Sequence, residues 1–111
     1  MIELTKLEEL LQSPEQFKEI WLQAENGERL CALINGETGW LMYLRFKGDG
    51  GYASRNPSVI SRKHFEFSLN NGQSDMYPEN WTYGIDELKF AMQSFLLDGK
   101  RPHQIVWHDD T

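Results

Sequence analysis

Apolar residues recur along this chain at two different periods, and the switches between them divide it into elements. Leu4, Leu7, Leu10 and Leu11 fall at helical spacing with Glu3, Glu8 and Glu9 between them, which predicts a short amphipathic opening helix. Ser13-Pro14-Glu15-Gln16 then reads as a capping box with Pro at the first helical position, followed by only a turn or so. From Lys18 the period falls to two. Ile20, Leu22 and Ala24 alternate with Trp21, Gln23 and Glu25, and Asn26-Gly27 is a hairpin signal that returns the chain along Arg29 to Ile34.

A turn at residues 35–39 leads into Trp40-Leu41-Met42-Tyr43-Leu44-Arg45-Phe46, apolar on both faces at its start and therefore a central strand. Gly48-Asp49-Gly50-Gly51 reads as a tight turn with an exposed carboxylate, followed by a short strand at Tyr52-Ala53-Ser54. Phe65, Phe67 and Leu69 alternate with Glu66, Ser68 and Asn70, and Asn71-Gly72 turns this strand towards Gln73 to Tyr77. Ile85, Leu88, Ala91, Met92, Phe95 and Leu96 share one helical face, with Asp86 and Glu87 in the first turn, Gly99 as the stop and Pro102 beyond it. Gln104 to His108 closes the chain as a strand. The expected fold is α+β: an antiparallel meander sheet of about five to six strands packed against a C-terminal helix, with a short N-terminal helix. Trp40, Met42, Phe65, Phe67, Phe95 and Trp107 are the expected core residues.

Length and composition bound what such a fold can be. With 111 residues, 40% of them apolar, the chain is expected to form one domain over residues 1–111 around one core. A single cysteine, Cys31, makes no internal disulfide, which suits a reducing compartment. The start of the chain has neither a basic stretch nor an apolar run, so no signal peptide or membrane span is expected, and the expected location is cytoplasmic. The glycosylation triplet Asn80-Trp81-Thr82 carries no weight without secretion.

Charge changes the picture more. The net charge of −6 argues against general affinity for nucleic acid, but it is unevenly spread. Residues 1–40 hold three bases and eight acids, residues 67–111 three bases and seven acids, and residues 41–66 five bases and only two acids. Arg45, Lys47, Arg55, Arg62 and Lys63 accompany Tyr43 and Tyr52 there, the mixture a single-strand binder uses. Solvated strand edges protected by long cations explain the same residues. Nucleic-acid binding through Arg45–Lys63 is thus the alternative functional reading.

No catalytic constellation is complete. His64-Phe65-Glu66 has the H-x-E form of zinc deaminases, but that chemistry needs a downstream Cys-x-x-Cys pair, and Cys31 lies upstream. Cys31 sits within Leu30-Cys31-Ala32-Leu33, the setting of a small buried residue rather than a nucleophile. No serine lies in a G-x-S-x-G turn, and Gly48-Asp49-Gly50-Gly51 lacks the Lys-Ser/Thr of a phosphate loop. His103, His108, Asp109 and Asp110 have ligand chemistry, yet the last three read as a polar tail. The expectation is no enzyme, no metal and no cofactor. What remains is recognition: Tyr77-Pro78-Glu79-Asn80-Trp81 reads as a polar loop with two aromatics, and the sequence leaves open whether Trp81 is presented or caps the core.

The order of motifs adds a resemblance. Trp40-Leu41-Met42-Tyr43-Leu44, Gly48-Asp49-Gly50-Gly51, Phe67-x-Leu69-x-Asn71-Gly72-Gln73 leading into Tyr77-Pro78, Asp98-Gly99-Lys100-Arg101-Pro102 and Ile105-Val106-Trp107 follow one another as in immunity protein family 1 of bacterial polymorphic toxin systems, which residues 20–108 resemble. Each motif alone is a glycine turn or an aromatic strand, and the specificity lies in their order. The resemblance implies a small cytosolic α+β protein that binds and neutralises a cognate secreted toxin, often a nucleic-acid deaminase, by blocking its active site or substrate channel. An acidic inhibitor would be steered to a basic channel. The two loops that carry carboxylates beside aromatics give the expected partner-binding residues: Asp49, Asp75, Tyr77, Glu79 and Trp81. The partner is expected to be a protein, not nucleic acid or membrane, and the oligomeric state is left open.

Overall fold

Alternating runs separated by Asn-Gly and Gly-rich turns fold, in the computed structural model, into a sheet covered on one side by a helix and on the other by a hairpin. The structure describes residues 17–111 together with Leu7, Glu9 and Leu11. Those three are all helical, and Leu7 is fully buried in the core, but the rest of the expected opening helix and the capping box at residues 13–16 lie outside the described residues.

Three strands form a meander: β1 (Phe17–Gln23), β2 (Arg29–Asn35) and β3 (Thr38–Leu44). Their antiparallel register pairs Ile20 with Ala32 and Leu33 with Trp40. Alternation then sends Leu30, Ala32, Ile34, Leu41 and Tyr43 to one face and Cys31, Leu33 and Trp40 to the other. With both faces covered, β2 and β3 read as nearly continuous apolar runs, in keeping with the central position expected from Trp40 to Leu44.

The far edge of β3 is shared by two strands. β4 (Tyr52–Arg55) pairs through Met42 with Ala53 and Tyr43 with Tyr52, while β7 (Tyr83–Gly84) pairs through Thr38 with Gly84 and Gly39 with Tyr83. Between the two pairings the buried Ser54 hydroxyl accepts the Leu41 N–H and donates to the Trp81 carbonyl, both at 2.9 Å. A side chain thereby replaces a missing rung of the ladder. β8 (Val106–Asp109) closes the other edge of β4, pairing Tyr52 with Asp109 and Arg55 with Val106.

The single meander expected from the strand order is therefore corrected. β5 (His64–Ser68) and β6 (Ser74–Pro78) pair only with each other and form a separate two-stranded sheet. This hairpin lies across the face carrying Cys31, Leu33 and Trp40 and plugs it with Phe67, 0% exposed. Glu19 holds the hairpin's turn, accepting the Asn70 N–H at 2.8 Å and, on its main-chain carbonyl, the Asn70 amide at 3.2 Å. Asn35 donates to the Glu66 carbonyl at 2.9 Å further along.

The helix α1 (Ile85–Asp98) covers the opposite face with Leu88, Ala91, Met92 and Phe95, and ends where Gly99 takes the left-handed conformation and donates to Phe95 O. Gly39 lets it approach closely: a Cβ there would lie 2.8 Å from the Leu88 side chain and 2.5 Å from the Leu33 carbonyl. Of the expected core, Trp40, Phe67 and Phe95 are buried, whereas Met42, Phe65 and Trp107 are half-buried. Phe65 belongs to a two-stranded unit too small to cover its own flank. Trp107 lies on an edge strand, where its indole N–H donates to Pro102 O at 2.8 Å.

Candidate functional site

The hairpin face concentrates aromatic residues. Trp40 from β3, Tyr77 from β6 and Trp81 from the 3-10 turn Glu79–Trp81 meet with ring centroids 4.6 Å (Trp40–Tyr77), 5.4 Å (Trp40–Trp81) and 5.7 Å (Tyr77–Trp81) apart. Such tilted and edge-on pairs hold one another in place beyond their simple burial. The expected polar loop at residues 77–81 is corrected in consequence: Tyr77 and Pro78 end a strand, and the turn after them is pinned. Glu79 N–H donates to Lys63 O at 2.9 Å, Asn56 N–H to Asn80 O at 2.7 Å, and the Asn56 amide to Thr82 O at 2.9 Å.

Trp81 is half-buried, which resolves the two sequence readings into both at once: one side packs on Trp40 and Tyr77, and the Arg55 guanidinium lies 4.0 Å from its ring centroid. Arg55 also donates to Ser54 O at 2.9 Å, and its burial works against its charge. Asp75 is exposed beside Tyr77, whose hydroxyl reaches it at 3.4 Å, while Glu79 is half-buried. Burial, with the nearby Asp75 charge, raises the Tyr77 phenol above its ordinary range and keeps it neutral.

Asp75, Tyr77, Glu79 and Trp81 are thus brought together on one side of the molecule. Asp49 is not. It sits in the turn after β3, before the Tyr52 end of β4, whereas Trp81 stacks against Arg55 at the other end of that strand. Nor is its carboxylate the exposed one expected: its side chain is 2% exposed and engaged bidentately by Arg45 at 2.9 and 3.0 Å, with the Arg45 N–H at 2.9 Å. The Arg45 contacts hold the Asp49 carboxyl well below the usual carboxylate range. This aspartate closes a turn. Asp109, expected in a polar tail, is instead a paired strand residue opposite Tyr52.

Arg55 is the residue that sequence reasoning placed only in a general basic segment. The aromatic it stacks on lies 26 positions away, and only the return of the hairpin to β4 brings the two together.

Cys31 is buried under the hairpin, and burial first, then the Glu19 charge, pushes its thiol up to about 12. His64 and Glu66 are exposed positions of β5. Among the described residues no group of three or more His, Cys, Asp or Glu side chains is placed to hold a metal ion. No helix there is long and apolar enough to cross a membrane. No protein-family model matches the chain, and no curated protein matches it.

Proposed function

We propose that this protein acts by binding: it captures a cognate secreted toxin in the cytoplasm and neutralises it, as the resemblance to immunity protein family 1 implies, without catalysis, metal or cofactor. The toxin proposed is a nucleic-acid deaminase whose active site or substrate channel the protein blocks. The observation that carries the reading is the joining of Asp75, Glu79, Tyr77 and Trp81 on one surface, carboxylates beside half-buried aromatics. Aromatic anchors that become fully desolvated on docking are where interface energy concentrates, and nearby carboxylates on a −6 protein speed encounter with a basic channel. A standard interface, about 800 Å² on each partner, is large enough to cover these residues together.

Nucleic-acid binding through Arg45–Lys63 is less well supported, because Arg45 is already spent on Asp49 and the net charge of −6 repels a polyanion. The direct test is co-expression with the toxin encoded by the adjacent reading frame. The native protein should protect the cell, and the variant Asp75→Lys, Glu79→Lys, Trp81→Ala should not. Full protection by that variant would move the interface elsewhere.

A further inference from the structure

Next to this surface, and sharing Trp81 with it, lies an open groove of about 640 Å³. Its walls combine two arginines, Arg55 and Arg62, with the aliphatic side chains of Val59, Ile60 and Val106. Ile60 is 98% exposed and Val106 half exposed, an unusual concentration of uncovered aliphatic surface beside charge. Among the described residues neither arginine makes a close salt bridge, in a protein with six more acids than bases, although Asp110 acts on the Arg55 charge from a greater distance. Arg55 is held in one orientation by the Trp81 ring and by Ser54 O, so much of the entropy of ordering a long cation is already lost before anything binds.

We propose that this groove receives an extended segment of the partner protein in which an Asp or Glu stands beside an aliphatic residue, the carboxylate engaging Arg55 and Arg62 and the aliphatic side chain covering Ile60 and Val106. The inference rests on the toxin-binding reading and adds to it a second contact of opposite sign. A planar guanidinium with free N–H groups matches a carboxylate bidentately, and the aliphatic walls match the neighbouring side chain. A nucleic acid suits the groove less well: the net charge repels a polyanion, and Arg55 occupies the Trp81 face on which a base would stack. Carboxylates at Asp75 and Glu79 on the hairpin side, with arginines in the adjoining groove, would orient the partner as well as hold it, since a reversed pose sets like charges together.

Ile60 gives the cleanest test, because so exposed a side chain can be exchanged without disturbing the fold. Ile60→Asp and Ile60→Lys are compared with the native protein for binding to the toxin domain encoded beside this chain, inactivated at its catalytic residue, by surface plasmon resonance. An acidic occupant is repelled by the new carboxylate, so Ile60→Asp should weaken binding about tenfold while Ile60→Lys leaves it within about twofold or tightens it. Equal affinities for all three proteins would overturn the groove contact while leaving the toxin-binding reading intact. Greater weakening by Lys than by Asp would overturn it by indicating a basic occupant. A native protein that does not bind the toxin at all would overturn both. A single-stranded oligonucleotide titrated in parallel should not bind; salt-sensitive binding that Ile60→Asp weakens would overturn the proposal in favour of nucleic acid.

Discussion

The two faces of the sheet are built on different terms. On the helix side, aliphatic side chains from β1, β2 and β3 meet Leu88, Ala91, Met92 and Phe95, all four fully buried. On the hairpin side a smaller cluster of Cys31, Leu33, Trp40, Ala53 and Phe67 is bordered by half-exposed Phe65, Tyr77 and Trp81, and the buried Trp40 indole N–H has no hydrogen-bond partner among the described residues. The helix face excludes water and fixes the fold. The hairpin face leaves aromatics and charges at the boundary, where a second protein could complete their removal from water.

Emptying each core is the harshest way to break that contrast. Phe95→Ala should cost about 3–5 kcal/mol and Phe67→Ala the lower end of the same range, because a two-stranded hairpin can settle into the space better than a helix held along its length. Equal shifts in denaturant midpoint, at unchanged slope, would erase the asymmetry. Ser54→Ala should come next, at about 1–3 kcal/mol, since it leaves the Leu41 N–H and the Trp81 carbonyl without their partner. Thermal unfolding of the purified variant measures it.

Charge reversal at Asp75 and Glu79 should move recognition rather than stability. Unfolding should shift by less than about 0.5 kcal/mol, while association with the proposed toxin partner slows about tenfold and loses part of its salt dependence in stopped-flow traces. The smallest effect belongs to Asp49. Its carboxyl is depressed in the fold relative to about 3.9 in an unfolded chain, so its contribution is present above that value and fades as pH falls through the folded value. The midpoint difference between native protein and Asp49→Asn should therefore narrow as pH is lowered below about 4, and a difference that widens would reverse the assignment.

Much of this was legible in the residues. The two-residue alternation at Ile20–Ala24 and Phe65–Leu69, the Asn-Gly turns and the Gly99 stop all lie where the elements begin, alternate or end, because each is decided by neighbours in sequence. What the periods do not encode is which edge a strand meets next. β5 and β6 alternate as sheet strands should, yet they cross the sheet instead of extending it, a choice made by Phe67 against Cys31, Leu33 and Trp40. The same limit separated Asp49 from the other four candidate residues. A Gly-Asp-Gly-Gly turn looks like a displayed carboxylate until Arg45, four residues back, folds onto it.

The forked edge of β3 has a consequence in time. Because β4 and β7 dock side by side on that strand, everything between Asn56 and Thr82 leaves the main sheet and returns to it as a closed loop carrying its own hairpin. Such a lobe can lift by releasing Phe67, the Tyr77–Trp40 packing and the Glu19–Asn70 and Asn35–Glu66 bonds while the β1–β2–β3 ladder and the helix stay zipped. Amide protons of β5 and β6 should accordingly exchange with solvent through a shallow opening, and those of β2 and β3 only when the whole molecule unfolds, so that a partner seated on Trp81 would slow the first set and leave the second unchanged.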